Sequence, residues 1–381
     1  MNLGGTPSAS LFFLGTFAFS CNEKNNAAPQ ENNYTPQVPE QVNDGWETGS
    51  VEEAGINPEP LIQAVENILN NTYPRVHSIL IIKNGKLVFE EYFRGQVYVN
   101  STIRFGPHVM FDREKKHNLA SVTKSITSAL TGAAIKNGFI TDENEKVSTF
   151  FPEYQNLFDT QKEKITIEHL LMMESGLDWD ENTEMNSDND MYLFNAAGDP
   201  LRFLISMDIA GDPGTIWCYN GGAVTLLGKI IEKASGLNLE EFSEQYLFTP
   251  MGISDFRWPY IKPDLIAAHG DLKLRPRDMA KIGQMYLNGG VWEGEQIVTA
   301  EWVEKSTAGA FQSGYGYLWW GRNYNVNGEP IRSYAARGWG GQHISVLPDL
   351  DMVVVFTGGN YDSNTPEEYI LEHYILPACV E

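Results

Sequence analysis

The 381 residues are 42% hydrophobic, enough to bury a sizeable core, and carry a formal net charge of −23. So acidic a surface repels a nucleic-acid phosphate backbone, which excludes nucleic acid as a partner. Three cysteines, Cys21, Cys218 and Cys379, exclude a disulfide scaffold while leaving open one Cys218–Cys379 bridge or two free thiols, and the seven histidines have no metal-ligand spacing.

At the N-terminus, Leu11 to Phe19 is apolar over the length of a signal-peptide core and too short to span a bilayer. It ends in Ala18-Phe19-Ser20-Cys21, which resembles a bacterial lipoprotein processing site. The expectation is a signal- or lipoprotein-like segment 1–21, processed so that Cys21 becomes a lipidated N-terminus, and membrane attachment of an exported, periplasmic or surface-held protein. Met1 to Ser10 lacks the usual Lys or Arg and Phe19 is bulky for its position, so a plain secretion signal and an unprocessed segment are the alternatives. Residues 22–45, rich in Asn, Gln, Pro and Glu, read as a disordered tether, and folded structure is expected from Trp46.

Pro58 to Leu69 has helical apolar spacing. Two β-rich runs then flank Asn84-Gly85, a dipeptide that tolerates the positive φ of a tight hairpin, so an antiparallel sheet starts there. Leu119 to Leu130 predicts a buried helix, on which Ser121 and Lys124, three residues apart, share a face. A hydroxyl beside an amine in apolar surroundings is an activated nucleophile, and a helix start offers backbone N–H groups to a developing oxyanion. An N-capping serine and a solvated lysine have the same spacing, so the pair acquires meaning only from its context.

The helix is expected to end at Asn137-Gly138. Ile165 to Met173 reads as a capped helix whose His169, set among aliphatics, is a structural histidine. The polar run Asp178 to Asp190 reads as a surface loop. In Asp212 to Ile231 a Pro-Gly turn, an anchoring Trp217 and Gly221-Gly222 precede a helix, a loop able to hold Tyr219 and Asn220 towards a cleft. A phenol serves in proton transfer when a cation lies near it, and Lys124 is the candidate cation. Asp278 to Leu287 is an amphipathic helix closed by Asn288-Gly289-Gly290. Three β-rich runs follow: Tyr315 to Trp320, Gln342 to Leu347 and Met352 to Phe356, the last two joined by a hairpin at Pro348 to Asp351. Before them, Gly338-Trp339-Gly340-Gly341 reads as a strand edge on which glycines let a ligand lie.

Taken in order, several stretches resemble the serine penicillin-recognising enzymes, the family of class C β-lactamases, D-Ala-D-Ala carboxypeptidases and related esterases and amide hydrolases. They are Ala120-Ser121-Val122-Thr123-Lys124-Ser125, Glu174 to Trp179, Pro213-Gly214-Thr215 with Tyr219, Leu287 to Gly294, and Gly338 to Gln342. The resemblance runs from about Trp46 to the C-terminus.

It implies an α+β fold, an antiparallel sheet flanked by helices with a mostly helical lobe inserted. The α/β lobe would hold residues of about 46–135 and 265–381, the helical lobe those of about 136–264. It implies that Ser121 is acylated by an ester or amide while Lys124 and Tyr219 pass its proton to the leaving group. The backbone N–H groups of Ser121 and Gln342 would form the oxyanion hole, with Asn220, Trp339, Gly340 and Gly341 along the substrate, and no metal or organic cofactor. Two departures bear on substrate. Gly221 stands where lactamases and carboxypeptidases carry Asn, and Trp339-Gly340-Gly341 where they carry Lys, Thr or Ser, and Gly.

Without that lysine, and with Arg332 and Arg337 expected to turn away, the chain looks more like the esterase and amide-hydrolase branch, acting on a small ester, amide or short peptide. A β-lactamase, D-Ala-D-Ala carboxypeptidase or D-aminopeptidase is the alternative within the chemistry. A non-catalytic module binding cell-wall peptide is the alternative outside it.

Overall fold

Seven strands form the main sheet of the structure, a computed structural model describing residues 34–98, 105–183, 185–362 and 364–380. They are β1 (Glu47–Thr48), β2 (Val76–Lys83), β3 (Lys86–Tyr92), β4 (Trp320–Val326), β5 (Glu329–Gly338), β6 (Gln342–Leu347) and β7 (Met352–Gly358). The order across the sheet is β1-β3-β2-β7-β6-β5-β4, antiparallel except for β1 beside β3. The first and last parts of the chain therefore interleave in one sheet.

Alternate residues of the central strands face different layers. Ile79 and Ile81 of β2 and Val354 and Phe356 of β7 share a core with helix α1 (Pro58–Leu69) and with the C-terminal helical segment. Leu80, Ile82, Val353 and Val355 belong to the other core, with α2 (Val122–Lys136) and a helix at Pro276–Leu287. Coverage of both faces explains why β7 reads as an unbroken apolar run and not as an alternation. Each such side chain contributes roughly 1.5–3 kcal/mol of burial, so both helical layers are held firmly.

Both hairpins form where expected. Asn84 and Gly85 have φ of 52° and 75°, and Asp351 closes the other turn at φ 44°. Between α2 and Pro276 most of the regular structure is helical, and α3 (Gly221–Ser235) packs along α2. No helix among the described residues is long and apolar enough to cross a membrane. The apolar run 11–19 and Cys21 lie outside the described residues.

Two expectations are corrected. Residues 34–45 are not a free tether: Tyr34 donates to Glu91 at 2.6 Å, Arg113 to Glu40 at 2.6 Å, and the buried Arg277 to Asp44 at 2.9 Å and to the Glu40 carbonyl at 3.0 Å. A segment too polar to build a core is held instead by the ions it brings to buried partners. In the run Tyr315 to Trp320, only Trp320 is in a strand, because Leu318 turns back at φ 63°. Of the two readings left open for Cys218 and Cys379, two free thiols is the one found; the first donates to the Trp179 carbonyl and the second packs on Met352.

Candidate active site

Ser121 sits at the N-cap of α2 but makes no capping bond, so its hydroxyl is spared for other partners. The turn before it is bent by Ala120, whose φ of 45° is uncommon for a residue with a Cβ. Hydrogen bonds hold that bend: Ala120 N–H donates to Asn118 Oδ1 at 2.8 Å, and its carbonyl accepts from Thr123 Oγ1 at 2.7 Å and Asp271 N–H at 3.2 Å. Lys124, one turn on, is 3% exposed; its Nζ donates to Ser121 Oγ at 3.1 Å and to the His269 carbonyl at 2.8 Å. The solvated-lysine alternative is thereby removed.

Asn220 caps α3, accepting from Ala223 N–H at 2.8 Å, and is buried; it shapes the Tyr219 turn and does not line the cleft, correcting its assignment to substrate. Gly221 and Gly222 are small because Met191, Glu181 and Trp179 fill the space a Cβ would need. The turn brings Tyr219 beside Lys124, with Nζ 4.7 Å from the ring centroid. The ammonium faces the ring and not the phenol oxygen, which makes no hydrogen bond to Ser121 or Lys124 among the described residues. The expected triangle is closed at its Ser–Lys side and open at the phenol. Trp217 and Trp320 pack on the same ring, at 6.3 and 6.0 Å between centroids.

The glycine-rich edge differs from expectation in its reasons. At Gly340 and Gly341, with φ of 84° and 91°, a Cβ would overlap the Tyr361 ring and the Glu367 carboxyl, so these glycines make room for the chain's own side chains and not for a ligand. Gln342 is buried and lies opposite Gly338 in the ladder, its carboxamide donating to the Gly358 carbonyl at 2.7 Å. Gly338 is the residue pressed against Leu119 and Val122 at the start of α2. The end of β5 thus adjoins the start of α2, with Gln342 as its neighbour in the ladder. Trp339 lines the cleft, half exposed, edge-on to Tyr361. Arg332 pairs with Asp349 and Arg337 with Glu368, so neither supplies a cation.

The cleft encloses about 340 Å³ around Ser121 and Lys124. Its walls add residues that the sequence had not marked: Glu181, Met185 and Met191 from and beside the loop read as surface, and His269 and Asp271 opposite. Glu181 Oε2 accepts from Gly221 N–H at 2.7 Å and Trp179 Nε1 at 2.9 Å, tying that loop to the Tyr219 turn. His269 shares a 2.8 Å hydrogen bond with Thr225, and burial, aided by the Lys124 charge, lowers its pKa to about 3, so it is neutral. His169 is structural as expected, exchanging capping bonds with Thr166. A larger groove of about 560 Å³ lies along Lys229, Lys233 and Lys262, but it holds no nucleophile and all three ammonium groups are already bonded.

The family model described as Beta-lactamase matches residues 75–372, most of the chain. The chain belongs to the beta-lactamase family. As a member it is a serine hydrolase, and its mixed α+β fold is the beta-lactamase and penicillin-binding-protein fold. It is 26% identical over 322 residues to the 6-aminohexanoate-dimer hydrolase of Paenarthrobacter ureafaciens, covering 78% of this chain and 76% of that one. The octameric penicillin-binding protein homologue from Pyrococcus abyssi superposes with a TM-score of 0.60 at 21% identity, over 84% of this chain and 76% of that one. A family VIII carboxylesterase gives 0.59 at 15% identity, over 86% and 96%.

Proposed function

We propose that Ser121 is the nucleophile of this beta-lactamase-family hydrolase and that its substrate is a small ester or amide, cleaved through an acyl-enzyme. The observation that carries the reading is the buried Lys124 Nζ 3.1 Å from the Ser121 hydroxyl in an open cleft of about 340 Å³. Ser121 Oγ attacks the carbonyl carbon as Lys124, in its neutral amine form, takes the hydroxyl proton; the Tyr219 phenol gives its proton to the departing alkoxide or amine and regains one from the lysine, which returns to the amine. A water then takes the leaving group's place and releases the acid. The oxyanion is assigned to the Ser121 amide and the end of β5 at Gly338–Trp339. Substrate binding draws the Tyr219 phenol in from its present ring-face contact with Lys124, as hydrogen bonds at such sites commonly tighten in the complex.

The substrate class follows from the lining. Among its described lining residues Lys124 is the one lysine or arginine, Glu181 and Asp271 are acidic, and Trp339, Met185 and Met191 are apolar. A penicillin carboxylate has no positive partner on the edge, which weighs against the β-lactamase and carboxypeptidase alternatives. A linear amide with an apolar spacer and a terminal amine suits the walls, and the name of the Paenarthrobacter ureafaciens relative makes an aminohexanoate amide the first compound to try. We also propose export and lipid attachment at Cys21; globomycin-sensitive labelling with a radioactive fatty acid, lost in Cys21→Ser, is the expected result.

Intact-protein mass spectrometry after a fluorophosphonate tests the chemistry. An adduct is expected on the wild type and not on Ser121→Ala; no adduct, or one that survives the substitution, overturns the assignment. Peptide binding without turnover, unaffected by Ser121→Ala, would favour the binding module, and brisk hydrolysis of a chromogenic cephalosporin the lactamase.

A further inference from the structure

The Glu367 side chain is 2% exposed and takes no part in the chemistry above. It lies under the turn between β5 and β6. A Cβ on Gly341 would overlap its Oε1, and one on Gly358 would come within 3.0 Å of the same atom. The rest of the turn rests on the same platform: the Tyr361 ring lies under Gly340, Asn360 N–H donates to the Gly340 carbonyl at 3.0 Å, and the Gln342 carboxamide bonds Gly358. Three residues before Gly341, Gly338 meets Leu119 and Val122 across from Ser121. A shift of the turn on its platform is therefore a shift of the Ser121 surroundings.

No cation is paired with Glu367 among the described residues. Glu368, next to it, takes both Arg322 and Arg337. From β6, His343 is held neutral by burial and by Arg322, with its pKa lowered to about 4. Arg75, before β2, is paired with Asp362. Burial raises the Glu367 carboxyl to about 7, and neither of its oxygens has a hydrogen-bond partner among the described residues. An anion buried without a cation is costly, so ionisation draws water or movement into the platform.

We propose that Glu367 is a positioning residue for the reaction at Ser121: its carboxyl group, as the neutral acid, seats the Gly340–Gly341 turn, and ionising it loosens that turn and draws the end of β5 away from the nucleophile. The inference rests on the hydrolase reading above. It predicts a loss of kcat on the alkaline side that a residue of merely structural importance would not produce.

The test is the pH profile of kcat and KM for a p-nitrophenyl ester, run on the wild type and Glu367→Gln. Wild-type kcat should fall severalfold through a midpoint near pH 7 with KM little changed, and Glu367→Gln should keep its low-pH kcat without that limb. The same limb in both proteins, or a folded Glu367→Gln inactive at every pH, overturns the proposal. NMR of the wild type provides a second measurement should the variant not fold: the Gly341 amide should titrate with the Glu367 carboxyl, and a Gly341 signal flat across that midpoint also overturns it. Fluorophosphonate labelling of the wild type is scored separately, so an unlabelled protein whose Gly341 still titrates loses the hydrolase reading and keeps the seat.

Discussion

Two turns meet at Ser121, and they are stiffened by opposite means. The Asn118–Ser121 turn bends at a residue that has a Cβ, Ala120, and is held by hydrogen bonds between that residue's backbone and Asn118, Thr123 and Asp271. The Gly338–Gln342 turn bends at glycines and is held by side chains pressed into the space where Cβ atoms would be. The first should therefore tolerate a change in side-chain size and the second should not. A nucleophile positioned by directional bonds and a β-edge positioned by packing also fail differently, one through chemistry and the other through shape.

The largest effect is expected from Lys124→Met, which removes the chemistry of the first turn and leaves its geometry. A methionine fills most of the lysine's volume, and the Ala120 bonds do not involve Nζ. We expect kcat/KM for a p-nitrophenyl ester to fall on the order of 10⁴-fold with thermal unfolding little changed. A comparable loss of stability would mean that Lys124 holds the turn itself.

Next is Gly341→Ala. The added methyl meets the Glu367 carboxyl and forces a left-handed backbone on a residue that disfavours it, costs of roughly 1–3 and 1–2 kcal/mol. Urea unfolding should show a loss of about 3 kcal/mol; less than 1 would show that the platform gives way easily and that packing is not what fixes the edge.

The same platform sets a pH dependence of stability. Glu367 has a folded pKa of about 7, above its ordinary unfolded value, so its contribution is fully present below that unfolded value and is lost as pH rises through 7. The unfolding free energy of the wild type, from denaturant titrations, should drop by an amount on the order of 2–3 kcal/mol between pH 5 and pH 8 relative to Glu367→Gln. Parallel curves would mean that the carboxyl is better solvated than its burial implies.

The hydrogen-bonded turn was far more legible in the sequence than the packed one. Ser121 and Lys124 announce themselves through helical spacing within one short stretch, as the two hairpins do through Asn84-Gly85 and Pro348 to Asp351. Glycines at 340 and 341 were visible too, but their reason was not, because Tyr361 and Glu367 arrive from about twenty residues further on. Strand β4 was missed because it lies at the sheet edge, where Arg322, Asn323 and Asn325 erase the apolar signal. Glu181 and His269 carry no local pattern; only the meeting of distant segments at the cleft distinguishes them. Tyr219 was found through its loop, yet the orientation of its ring towards Lys124 depends on Trp217 and Trp320, one of them a hundred residues away.

The smallest expected effect is the sharpest test of the contrast. Ala120→Gly relieves a left-handed residue of its Cβ, worth about 1–2 kcal/mol in favour of the fold, and gives the unfolded chain extra freedom, worth about 0.4–1 kcal/mol against it. The two nearly cancel, so stability should change by less than about 1 kcal/mol. Because the bonds from Asn118, Thr123 and Asp271 run to the Ala120 backbone, they survive the substitution, and kcat should stay within about threefold of the wild type. A large loss of kcat with stability intact would show that the Ala120 methyl, and not the backbone bonding around it, keeps Ser121 aimed at the carbonyl; the two turns would then be alike in relying on shape.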